Sequence, residues 1–125
     1  MAKFTGSRAF LVEDETLVLF SLEDVLTDLG CEVVGQATRL EQALAMAQSL
    51  GPLDVAILDV NIGGTTVFPV AQLLLERGVP LIFATGYGRD GLPPEWQGHA
   101  VIVKPYSVQD IERALTPLLA GRSAP

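Results

Sequence analysis

Five polar residues of this chain could do chemistry together: Glu13, Asp14, Asp59, Thr85 and Lys104. Each follows or ends a short apolar run. Glu13-Asp14 follow "AFLV", Asp59 ends "DVAILD", Thr85 follows "LIFA" and Lys104 follows "AVIV". Three carboxylates brought within a few Å repel one another, and a crowded carboxylate tends to keep its proton. A divalent cation relieves that repulsion, and an all-oxygen site with an open face suits Mg²⁺, which keeps waters and shares phosphate oxygens. Beside such an ion, the Asp59 carboxylate would be an anionic nucleophile able to form an acyl phosphate. Phosphoryl transfer spreads charge over the equatorial oxygens, which the ion, the Thr85 hydroxyl and the Lys104 ammonium would surround. Gly86 leaves the backbone free to approach the same oxygens and to offer an N–H.

Taken singly, each residue has a plainer use. Asp14 and Glu15 suit a helix N-terminus. Asp59 suits a turn before Asn61-Ile62-Gly63, Thr85 can bond its own loop, and Lys104 can be a solvated charge. None of these uses predicts that all five meet at one place.

The elements that must position them alternate along the chain. Ala9–Glu13 reads as a strand, and Glu15–Leu29 as a helix with Val18, Leu22, Val25, Leu26 and Leu29 at helical spacing, stopped by Gly30. Glu32–Gly35 is a second strand. Thr38 then caps a helix in a capping box with Glu41, with Leu40, Leu44, Ala47 and Leu50 inward and Gly51-Pro52 at its end. Asp54–Asp59 is the third strand. After Gly63-Gly64, Thr65 or Thr66 caps a helix that tolerates Pro69 in its first turn and reaches Arg77. Leu81–Ala84 and Ala100–Val103 are the fourth and fifth strands. Ser107 caps the last helix, whose core face is Ile111, Leu115 and Leu118 and which Pro117 kinks or shortens. Between them, Gly86–His99 holds Pro93-Pro94 and four glycines, with room for a short or irregular fourth helix of one or two turns. This pattern predicts an α/β fold with a doubly wound five-stranded parallel sheet. The strands are continuous apolar runs because both faces are covered. Their C-termini share one edge, the usual ligand crevice of open α/β sheets.

At 125 residues and 49% hydrophobic, the chain is expected to be one domain over 1–125, with a core of about 8–120 and tails at 1–7 and 121–125. A net charge of −7 argues against nucleic acid or an anionic membrane as the main partner. No apolar run approaches the ~20 residues of a membrane helix, and "MAKFTGSRAF" has no signal-peptide pattern, so a cytoplasmic location is expected. The single cysteine, Cys31, suits a reducing compartment and reads as a small buried hydrophobe.

"FLVEDE", "ILDVN", "FATG" and "VKPY" resemble, in this order and across essentially the whole chain, the motifs of the receiver domain of bacterial two-component response regulators. The resemblance implies a flavodoxin-like receiver fold of strand order 2-1-3-4-5. It implies that Asp59 accepts phosphate from a histidine kinase or histidine phosphotransfer protein. It also implies that Asp14, Asp59 and the Asn61 backbone carbonyl bind Mg²⁺ with Glu13 assisting through water, and that Thr85 and Lys104 hold the phosphoryl oxygens. "FATGY" is similar to the single-domain FAT GUY class, which lacks an output domain and works by protein contact, and a monomer or weak dimer is expected.

Three departures stand out. Val101 occupies the position, three residues before the lysine, where most receivers carry Tyr or Phe. "VNIGGTT" replaces the frequent Met-Pro loop, and the fourth helix is interrupted by proline. Ordering of Gly86–His99, pulled by Thr85 through "GYG", is therefore the expected switch in place of a ring rotation. Tyr87, Val101 and Tyr106 are the further candidates for switch or partner contact, with Tyr106 also suited to packing. Trp96 could anchor a partner or pack on the sheet, and the lone His99 offers no relay within the chain.

Three other functions compete. An aspartate-nucleophile phosphohydrolase would want a second acid two residues after the nucleophile, where Asn61 stands, so no enzymatic turnover beyond slow self-dephosphorylation is expected. A flavodoxin-like cofactor carrier would need a phosphate-cradling loop where this chain has "EDET". A phosphate-independent pseudo-receiver would not need so complete a site.

Overall fold

The computed structural model describes residues 3–119, so the expected tail at 121–125 lies outside the described residues. Five strands, β1 (Arg8–Val12), β2 (Glu32–Ala37), β3 (Val55–Asp59), β6 (Leu81–Thr85) and β7 (Ala100–Val103), form one parallel sheet in the order β2-β1-β3-β6-β7. Counted along this sheet alone, that is the expected 2-1-3-4-5. β4 (Asn61–Ile62) and β5 (Thr65–Thr66) pair with each other as a small antiparallel hairpin.

Side chains alternate across the sheet, so each strand feeds two cores. Phe10, Val12, Ala56, Leu58, Leu81 and Phe83 face the core shared with α2 (Leu40–Ser49) and α3 (Phe68–Glu76). Ala9, Leu11, Val55, Ile57, Ile82 and Ala84 face the core shared with α1 (Thr16–Asp28) and α4 (Val108–Leu119). Apolar residues at every position thus follow from cover on both faces. Phe4 also enters the second core, its N–H donating to Leu29 O at 2.8 Å, so residues before β1 pack rather than trail.

Caps decide several boundaries. Gly30 (φ 96°) ends α1 as expected, with Cys31 N–H reaching Leu26 O at 2.9 Å. Ser107 and Asp110 exchange side-chain-to-backbone hydrogen bonds at 2.9 and 3.1 Å, a capping box at the start of α4. Pro117 does not stop α4, which continues to Leu119. The Thr38–Glu41 capping box does not form, because α2 starts one residue later and Gln42 Oε1 takes the Thr38 N–H at 3.0 Å. Nor does either threonine cap α3. Thr65 and Thr66 are spent in the hairpin, where Thr65 Oγ1 donates to Ile62 O at 2.9 Å. Gly63 (φ 58°) and Gly64 (φ 90°) supply the two left-handed residues such a turn requires.

No α-helix forms between Gly86 and His99. Two 3₁₀ turns, Arg89–Gly91 and Pro94–Trp96, replace it. Trp96 is 7% exposed, stacked on Phe68 with centroids 5.5 Å apart and edge-on to Phe83 at 5.7 Å. Val101 packs against the same core, so the indole supplies the aromatic bulk that position 101 lacks. His99 completes the ring cluster against Phe83 and Trp96, a packing role. Cys31 is buried, and burial followed by the Asp54 charge pushes its thiol up to about 11, so it is an inert core residue. Among the described residues, no helix is long and apolar enough to cross a membrane.

Trp96→Ala removes the ring that ties this segment to α3 and β6, and is expected to cost about 3 kcal/mol. Chemical denaturation checks it, and a loss below about 1 kcal/mol would mean the segment is not anchored there.

Candidate functional site

The parallel sheet delivers the predicted residues to one edge. Backbone pairing carries two of them just past their strands: Glu13 N–H donates to Ala37 O at 3.0 Å, and Lys104 N–H donates to Thr85 O at 2.9 Å. Lys104 Nζ then lies 3.0 Å from Glu13 Oε1 and 2.9 Å from Asp59 Oδ2, one ammonium shared by two buried carboxylates. Asp14, the most accessible of the three acids, accepts the Gly63 N–H on Oδ2 at 2.9 Å. Glu13 Oε2 accepts the Glu15 N–H at 3.1 Å, and Asp59 Oδ1 accepts the Asn61 N–H at 3.3 Å. None of the acids caps α1, whose N-cap, Glu15, makes no side-chain cap hydrogen bond. Glu15 does stand at the helix N-terminus, where its charge favours the dipole, while Asp14 is engaged by Gly63.

The electrostatics are lopsided. Burial, with Asp59 adding to it, raises Glu13 to about 7 against the pull of Glu15 N–H and Lys104. Partial burial works against ionisation of Asp14, but the Gly63 N–H outweighs it, helped by Glu13 and Lys104, and its carboxyl stays below the usual range. Burial opposes the charge on Lys104, yet its bonds to Asp59 and Glu13 win, and it stays protonated well beyond the ordinary lysine range. Glu13, Asp14 and Asp59 present oxygens within 4.8 Å of one another. At an effective dielectric of 20, two like charges at that separation repel by roughly 3 kcal/mol. One lysine does not balance three acids, and a hard dication with oxygen ligands fits this donor set.

The other candidates fall as follows. Thr85 is buried at the end of β6, but its hydroxyl faces its own turn, accepting the Tyr87 N–H at 3.1 Å. Gly86 is exposed, and a Cβ there would project into open space, so the present backbone does not use its bareness. Tyr87 is 86% exposed and makes no packing anchor. Val101 is half-buried against the core that also holds Trp96, and Tyr106 is half-buried against α1 and α4.

Sequence reasoning missed two parts of this arrangement. One is the Gly63 N–H on Asp14, for which the Gly-Gly turn was the available signal. The other is Arg89, whose guanidinium donates to the carbonyls of Gln97 and His99 and closes the 3₁₀ segment on itself.

The family model for the response regulator receiver domain matches residues 9–116. The chain is 30% identical over 122 residues to the phyllosphere-induced regulator PhyR of Methylorubrum extorquens, covering 95% of this chain and 46% of that protein. It is 28% identical over 112 residues to the transcriptional regulatory protein PdtaR of Mycobacterium tuberculosis, covering 86% of this chain and 54% of that one. It therefore spans about half the length of these relatives. The solution structure of SdrG from Sphingomonas melonis superposes with a TM-score of 0.78 at 38% identity, over 95% of this chain and 99% of that one.

Between pH 4.5 and about 7 the unfolded chain has released the Glu13 proton while the folded, metal-free protein still holds it. The unfolded state binds fewer protons there, so stability falls as pH rises through that window. Glu13→Gln should lack this loss and gain on wild type from pH 4.5 to 7 in thermal melts without divalent metal. A constant difference across the window would mean Glu13 ionises as it does in the open chain.

Proposed function

The chain belongs to the response regulator receiver domain family of two-component systems, and from that premise we propose that it is a phosphoacceptor whose Asp59 takes a phosphoryl group from a histidine kinase or histidine phosphotransfer protein. The observation that carries this reading is Lys104 bridging Glu13 and Asp59 while a third carboxylate, Asp14, stands beside them. Such a cluster sets a fixed cation against the Asp59 carboxylate, where incoming phosphoryl oxygens would lie. Asp14, Asp59 and the Asn61 backbone carbonyl would hold Mg²⁺, with Glu13 acting through water. Bound there, the ion supplies neutralisation of phosphoryl charge. Lys104 then orients the acceptor, and Thr85 exchanges its bond to Tyr87 N–H for one to a phosphoryl oxygen.

Multiple turnover is not part of this reading. Asn61, two residues after the acceptor, cannot shuttle protons as an acid would, so hydrolysis of the acyl phosphate stays slow. PhyR and PdtaR are by name regulators, which fits a part in signalling.

The switch follows from the same geometry. Trp96 already anchors the second half of the Gly86–His99 segment, so movement of Thr85 is taken up by Gly86–Gly91, around the exposed Tyr87.

Incubation with Mg²⁺ and a small acyl phosphate donor should add one phosphate to wild type and none to Asp59→Asn, read by intact mass. Labelling that survives in the mutant, or none in wild type, overturns the reading. Phosphate-dependent amide exchange should slow across Gly86–Gly91 and change little at Trp96 and His99. Equal protection in both states across the whole segment would remove it from the switch.

A further inference from the structure

Tyr106 carries a polar atom that the site as described does not use. Its Oη is buried with no hydrogen-bond partner among the described residues. A buried donor left unpaired is destabilising, and phenylalanine would fill the same space without that cost. The ring lies between two grooves along α1. One, of about 490 Å³, is lined by Leu17, Val18, Ser21, Lys104 and Pro105, and the other by Ser21, Leu22, Val25 and Val108. Tyr106 lines the first groove together with Lys104, and burial, then the charge of Glu13 and, more weakly, that of Asp59 push its phenol up to about 12 against Lys104, so the group stays a protonated donor.

We propose that Tyr106 is a positioning residue of this cluster, its hydroxyl turning to donate a hydrogen bond into the site when Asp59 carries a phosphoryl group and its ring reshaping the groove against α1. The inference rests on the phosphoacceptor reading above. Lys104 now serves Glu13 and Asp59 together. A phosphoryl group adds anionic oxygens that the same ammonium must also serve, and Glu13 then keeps the Glu15 N–H as its one remaining bond of those described here. A buried carboxylate short of donors and a buried phenol short of an acceptor, both beside Lys104, solve each other's deficit.

The test uses Mg²⁺ and beryllofluoride, a stand-in for the phosphoryl group, with tyrosine labelled at Cζ with ¹³C. The Tyr106 resonance, assigned with Tyr106→Phe, should shift on binding, while that of the exposed Tyr87 stays put. Tyr106→Phe should melt no lower than wild type when free, yet bind beryllofluoride roughly ten-fold more weakly, a loss that a tyrosine serving only to pack its ring would not show. Equal affinity of the two proteins, an unmoved Tyr106 signal in the bound state, or a lower melting temperature of the free variant each overturns the proposal. Wild type that binds no beryllofluoride overturns the phosphoacceptor reading as well, whereas wild type and variant binding alike sinks this inference only.

Discussion

One ammonium shared by two buried carboxylates is the constraint on which the rest of this structure depends. Lys104 lies within 3.0 Å of both Glu13 and Asp59, and Asp14 adds a third acid that it does not touch directly. Such a cluster is tolerable only where backbone donors take up the remaining oxygens. The chain provides three, from Glu15, Asn61 and Gly63, each on a segment that begins just beyond a strand. The Gly63-Gly64 hairpin follows from this need, since it folds the chain after β3 back over Asp14. The residual negative charge is not a packing accident. It makes the site attractive to a dication and unfavourable for a bare anion, so in the phosphoacceptor reading a cation must accompany the phosphoryl group.

From this cluster a physical path leads to the far end of the sheet edge. Lys104 N–H bonds Thr85 O, the Thr85 hydroxyl holds Tyr87 N–H, Arg89 ties its turn to Gln97 and His99, and Trp96 stacks on Phe68 at the start of α3. Receivers with an aromatic residue three positions before the lysine have a ring to swing. Here Val101 is small, and an aromatic ring, Trp96, enters the same core from 3₁₀ turns rather than from the strand. A ring held between Phe68 and Phe83 is less free to rotate.

What could be read from the sequence followed from periodicity and punctuation. The five sheet strands were legible because burial on both faces makes each an unbroken apolar run, and the site was legible because polar side chains follow those runs. Helix ends set by Gly30 and by the Ser107 cap were equally plain, although the partner role of Asp110 was not read. The hairpin at Asn61–Thr66 was not, since two-residue strands have no period to detect and threonine serves caps and strands alike. The α2 start slipped by one residue because Gln42 and Glu41 both offer an acceptor at the right reach, and only tertiary packing chooses between them. Trp96 was ambiguous because amphipathic indole suits a core or an interface, and the nearby prolines hid the turns that aim it inward. Thr85 was correctly placed, but its resting bond to its own loop cannot be seen from spacing.

That resting bond bears on how small the switching free energy can be. In the phosphoacceptor reading, Thr85 gives up a neutral bond worth about 0.5–1.5 kcal/mol and gains one to a charged oxygen worth about 1.5–3 kcal/mol. The net from this residue alone is of order 1–2 kcal/mol, well short of the roughly 5.5 kcal/mol that inverts a 1:99 equilibrium. The shortfall must come from groups that change partners at the same moment, and Lys104 is the first of these because it already divides its hydrogen bonds between two acids. A site in which Lys104 and Thr85 already hold partners before activation makes their part of the switch a set of exchanges rather than additions. Each exchange contributes little, and the two states differ sharply only when several occur together.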